Sequence, residues 1–125
     1  MTQTQILRAA LFGVVFWFIA AMVVHLLPWV FDGGRYNLAL LTVSIPLSWL
    51  SIPISLRAAG AGPAHAVNVN VIGIIAAAFL DGLGITYASE LLYAGVSPAS
   101  QFGGAWILWG VAWILFFAWR VRGRA

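Results

Sequence analysis

Four uninterrupted apolar stretches constrain this chain more than any other feature. They run approximately Ala9–Phe31, Asn37–Leu56, Ala66–Ser89 and Ala99–Trp119. Each is long enough to cross a bilayer, which takes about 20 residues. What remains is a short N-terminus, three short connections and a short basic tail, with no room for a soluble domain. In hydrocarbon the backbone must satisfy its own polar groups, so only helices or closed barrels span. The stretches lack the period-two alternation of barrel strands. The expected fold is all-α, a single domain over residues 1–125. It is a four-transmembrane-helix antiparallel bundle, because short connections make sequential helices antiparallel neighbours.

Composition narrows the function classes. The chain is 63% hydrophobic and 7% charged, against roughly 25% charged in a soluble domain. It has no cysteine, which excludes disulfides, thiolate nucleophiles and thiolate metal ligands. The first stretch exceeds the roughly 7–15 apolar residues of a secretory signal, so it reads as an uncleaved span.

All six basic residues are arginine: Arg8, Arg35, Arg57, Arg120, Arg122 and Arg124. With four spans, the N-terminus, the second connection and the C-terminus share a side that carries five of the six and no acid. The other side carries Arg35, Asp32 and Glu90. The positive-inside rule then makes both termini cytoplasmic. The net charge of +3 thus speaks of topology, not of nucleic acid. Arg57, Arg120, Arg122 and Arg124 are also expected to touch lipid head groups. The absence of Lys and the wealth of Ala, Gly and Arg suit a GC-rich bacterial genome, and hence a bacterial inner membrane.

Individual stretches carry further signals. Helix 1 is bulky, with Phe12, Phe16, Trp17 and Phe18, and ends near Pro28 and a turn at Asp32-Gly33-Gly34. The second stretch holds Pro46 and Pro53, each able to kink a helix. It also holds Ser44, Ser48, Ser51 and Ser55 on one face, either a close-packing stripe or a wet lining. In the third, Asn70, Gly73, Ala77, Asp81, Gly84 and Ala88 recur at helical spacing. Gly73, Ala77, Gly84 and Ala88 thus form a packing face with Asp81 in its middle, and the acid should meet another helix, not lipid. A Gly95-Val96-Ser97-Pro98 turn opens the last span. There Phe102, Trp106, Trp109, Trp113 and Phe116 form an aromatic stripe.

An ionisable group at membrane depth is costly and marks a functional candidate. At about 1.5 Å per residue, Asp81 lies roughly 5 Å, and His25 roughly 8 Å, to the outer side of the span midpoints. Ser44, Ser48 and Trp106 fall in the same layer. These five form a candidate proton or ligand site, with His25 the expected partner of Asp81. The alternative is one buried hydrogen bond, from Asp81 to a serine or to His25, that fixes packing. Enzyme chemistry finds little footing: there is no second deep carboxylate, no nucleophile elbow and no cluster of about three zinc ligands. His25 and His65 lie at different depths, which excludes a bis-histidine haem within one chain. No metal and no cofactor are expected.

The second half, roughly Asn68 to Phe117, resembles a bacterial family of small four-span membrane proteins classed as a domain of unknown function. The residues that carry this are Gly73 to Leu83 with Leu80-Asp81, then Phe102-Gly103-Gly104-Ala105-Trp106 and Leu108-Trp109. The chain departs from the family's phenylalanine-glycine-alanine-tryptophan pattern by one additional Gly. The resemblance implies the architecture and the choice of Asp81, not a reaction. The small multidrug exporters share only the size, since they rely on a glutamate in a first helix that here has no acid. Three functions follow. The first is a structural or accessory membrane protein. The second is an oligomeric proton-coupled carrier of an unspecified small molecule. The third is a lipid-binding protein or intramembrane enzyme. The lipid bilayer is the common partner, and a homo-oligomer the expected form of the carrier.

Overall fold

The structure, a computed structural model, describes residues 1–92 and 98–124. The Gly95-Val96-Ser97 part of the expected turn lies outside the described residues. Among those described there are helices and turns and no strand. α1 spans Gln3–Leu26, α2 Arg35–Ala59, α3 Ala66–Tyr87, α4 Ser89–Leu92 and α5 Pro98–Arg122. Single 3₁₀ turns at Pro28–Val30 and Pro63–His65 lie between α1 and α2 and before α3. The stretches Gln3–Leu26, Arg35–Ala59, Pro63–Tyr87 and Gln101–Arg122 are long and apolar enough to cross a membrane. Their outward surfaces are apolar too: Phe18, Ile19, Leu47, Phe79, Leu83 and Leu108 are all exposed. In water that surface would be a severe liability, and in acyl chains it is matched.

Local chemistry sets the helix ends. The Thr2 hydroxyl accepts from the Gln5 backbone N–H at 3.2 Å, while the Gln5 side-chain oxygen accepts from the Thr2 N–H at 2.9 Å. This reciprocal cap satisfies two of the orphan donors of α1. The Gln5 amide then donates to the Gly60 carbonyl at 2.7 Å, so one side chain caps α1 and clips it to the end of α2. α2 stops because Gly60 turns left-handed, at φ 67°. There the Gly60 N–H reaches Arg57 O, and the Ala61 N–H reaches Leu56 O. That pairing needs a residue tolerant of positive φ. Pro46 and Pro53 both lie inside α2, and the helix continues through them.

Two packed clusters divide the interior. One holds Ala9, Ile52, Leu56, Ala59, Ala66, Val69, Ile114 and Ala118, with Met1, Phe117 and Val121 against it. The other holds Ala21, Val24, Val30 and Phe31, with Trp17, Phe102 and Trp106 against it. Four alanines lie in the first, among them Ala9, whose carbonyl stands 3.3 Å from where a Cβ on Gly73 would be. Rings fill the second, including Phe31 and Trp106 at 5.5 Å between centroids.

The closest approach joins α1 to α3. A Cβ on Gly13 would lie 2.5 Å from the Cα of Gly73, against backbone that cannot yield. A Cβ on Gly73 would meet Ala9 O at 3.3 Å and Gly13 Cα at 3.4 Å. The small-residue face expected on the third span therefore meets α1 at Gly73. Asn70, Gly73 and Gly84 on that face are buried, and Ala77 is half-buried. Ala88 lies just past the end of α3, as its cap.

Candidate functional site

Asp81 sits on α3 at the seam with α1, half-buried, and its carboxyl oxygen accepts from the Trp17 indole N–H at 2.8 Å. The register of the seam explains why these two meet. Gly13 opposes Gly73, and eight residues further along each helix stand Ala21 and Asp81. Trp17 and His25 lie four residues to either side of Ala21 on the same face of α1, about one helical turn each way. The Trp17 side chain spans that turn. His25 on the other side is half-buried, and its Nδ1 is buried without a hydrogen-bond partner.

Of the five residues of the sequence-derived site, the structure pairs Trp106 with Ser44, and it pairs Asp81 with Trp17 of α1. Asp81 bonds to α1 through Trp17. Ser44 instead takes a hydrogen bond from α5: the Trp106 indole N–H donates to its Oγ at 2.7 Å. The Ser44 hydroxyl in turn donates to Leu40 O at 2.7 Å, back along its own helix. Ser44, Ser48, Ser51 and Ser55 are all buried. Ser51 and Ser55 spend their hydroxyl protons on Ser48 O and Ile52 O, at 2.7 and 2.9 Å. A hydroxyl folded back on its own helix presents a compact surface to a neighbour, so this face packs and does not line a wet path.

Trp17 is the residue that sequence reasoning missed. On sequence it is one of the bulky groups of helix 1. A signal for it existed: Ala9, Gly13, Trp17, Ala21 and His25 recur every four residues, a small-residue face interrupted by one indole. A tryptophan on such a face has an N–H that must find an acceptor inside the protein.

The aromatic stripe of α5 is also divided. Phe102 and Trp106 pack inward with Phe31 and Val24. The Trp109 indole donates to Leu41 O on α2 at 2.9 Å, one residue from the Thr42 carbonyl that Pro46 cannot bond. Trp113 stacks on Phe117 at 5.5 Å, and Phe117 meets Trp49 at 5.1 Å. Phe116 and Trp119 are exposed. Three indole N–H groups thus reach across helices, one each to a carboxyl, a hydroxyl and a carbonyl.

A second polar atom without a partner is the Asn37 side-chain nitrogen at the start of α2, in a residue only 6% exposed. Among the described residues no group of three or more His, Asp or Glu is placed to hold a metal. Arg57, Arg120, Arg122 and Arg124 are exposed. Compared with known proteins, the chain matches no family model, no curated sequence and no solved structure.

Proposed function

We propose that this chain is a small multi-pass protein of the bacterial cytoplasmic membrane, structural or accessory in role, in which Asp81 is a hydrogen-bonding residue that holds α3 to α1. In this reading the four spans alternate in direction and both termini are cytoplasmic. The Gln5–Gly60 hydrogen bond supports the alternation, since it joins the beginning of α1 to the end of α2. The packing of Met1 with Phe117 and Val121 supports a shared side for the termini, and the arginine distribution supports a cytoplasmic one.

The single observation that carries the role of Asp81 is its 2.8 Å bond to Trp17 across the tightest seam of the bundle. Indole is a donor only and does not exchange protons near neutrality. A carboxyl bonded to it is anchored, not relayed. Asp81→Asn tests this, because an amide oxygen still accepts from Trp17 but carries no acidic proton. In proteoliposomes with an imposed pH gradient, wild type and Asp81→Asn should hold the gradient equally. Proton flux in the wild type that disappears in Asp81→Asn would replace this reading with the carrier.

One observation favours that second reading. The unpartnered Nδ1 of His25 lies about one turn beyond the level of Asp81, where a proton-accepting nitrogen would serve an oligomeric proton-coupled carrier. His25→Phe in the same liposomes separates the two, since a packing residue leaves flux unchanged.

A further inference from the structure

Resting on the membrane-spanning reading above, we propose that the arginine end of the molecule binds the phosphate head groups of anionic phospholipid, centred on the last turn of α5. Trp119, Arg120, Arg122, Gly123 and Arg124 line an open concavity of about 350 Å³. Three of its five lining residues are exposed arginines, and Gly123 adds no side chain. A guanidinium offers a planar fork that matches two phosphate oxygens, and it is more weakly hydrated than an ammonium. Trp119 is 55% exposed, an amphipathic ring suited to the head-group layer beside the charges.

The cation field extends beyond α5. Arg57 lies exposed in the last turn of α2. The Arg8 guanidinium lies beside Gly60, within 3.4 Å of where a Cβ would stand. Ala9, Ala59 and Ala118 share one cluster, which brings all of these arginines to one end of the bundle. The carboxylates lie elsewhere: Asp32 in the turn before α2, where it accepts from the Gly34 N–H, Glu90 in α4 and Asp81 in the seam. The concavity therefore gathers positive charge, with no Asp or Glu among its described lining residues. Arg120 and Arg122 also offset the carbonyl end of α5. The positive-inside rule accounts for the side on which Arg124, Arg57 and Arg8 lie, and an anion at that surface would engage them together. A lipid phosphate is the anion that stays at this depth.

The test places purified protein in nanodiscs of phosphatidylcholine, with and without phosphatidylglycerol. It compares wild type, a triple variant R120Q/R122Q/R124Q, and R35Q as a control at the other end. A nanodisc exposes both faces, so any effect of the substitutions on insertion direction drops out. Phosphatidylglycerol should raise the unfolding temperature of wild type and R35Q and be retained by both in native mass spectrometry. The triple variant should lose that preference. Each arginine removed should weaken retention about fivefold, the factor equivalent to about 1 kcal/mol per cation near an anionic surface. Inorganic phosphate added to phosphatidylcholine discs should leave the melting unchanged. Equal melting in the two lipids, a triple variant that keeps the preference, or an equal effect of inorganic phosphate overturns the proposal while the membrane reading survives. Failure of the helical protein to enter either disc overturns both.

Discussion

The two clusters of the bundle are built on opposite principles. Around Ala9, Ala59, Ala66 and Ala118, side chains are reduced until backbones touch, and stability comes from dispersion over close surfaces. Around Phe31, Phe102 and Trp106, rings supply much of the packing, and indole and hydroxyl groups pack among them. It is there, or just beside it, that Trp17 meets Asp81 and Trp106 meets Ser44, and there that the His25 Nδ1 has no partner. A close-packed seam tolerates no change of volume. A ring-filled region tolerates shape changes but is sensitive to the loss of a hydrogen-bond partner.

The largest expected effect tests the seam. Gly13→Ala should cost roughly 3 kcal/mol or more, at the upper end for overpacking, because the new methyl meets the backbone of Gly73. Gly73→Ala should cost about 1 kcal/mol, near the lower end of the same range, since its methyl meets atoms at 3.3–3.7 Å. Unfolding by denaturing detergent from mild micelles measures both, and equal costs would refute the asymmetry. Next comes the Trp17–Asp81 pair. Asp81→Leu should cost about 1–2 kcal/mol by stranding the indole donor, and Asp81→Asn less than about 0.6 kcal/mol. Trp106→Phe should cost about 0.6 kcal/mol, because Ser44 keeps its bond to Leu40. A double cycle with Ser44→Ala should return that coupling. His25→Phe should be smallest, below about 0.5 kcal/mol, since no hydrogen bond is lost at Nδ1. A larger loss at His25 than at Asp81 would reverse the picture of where this region's polar stability lies.

Much of the fold was legible in the sequence because lipid imposes long-range order on short-range composition. The four apolar stretches follow from hydropathy; three match α2, α3 and α5 to within about three residues at each end, whereas the first, Ala9–Phe31, is displaced by about five to six residues from α1, Gln3–Leu26. The small-residue face of α3 and the serine face of α2 follow from helical period alone. The site was legible only in part. Asp81 stands out because it is a lone acid in an apolar span. Its partner does not, because an indole in a phenylalanine-rich run looks like bulk. Depth arithmetic brought Asp81, His25, Ser44, Ser48 and Trp106 into one layer. Layer membership does not say which helix faces which, and so does not show that Trp17 is a side chain Asp81 meets.

The sequence by itself determined that the chain forms long apolar helices and which faces are small enough to pack. These are properties of single segments, set by composition, period and backbone freedom. Only the tertiary structure decided that Gly13 sits on Gly73, that Trp17 serves Asp81, and that Ser44 answers to Trp106. Those pairings depend on the relative rotation and rise of neighbouring helices, and many registers satisfy the same hydropathy. A single close contact between glycines selects one of them and brings the indole to the acid.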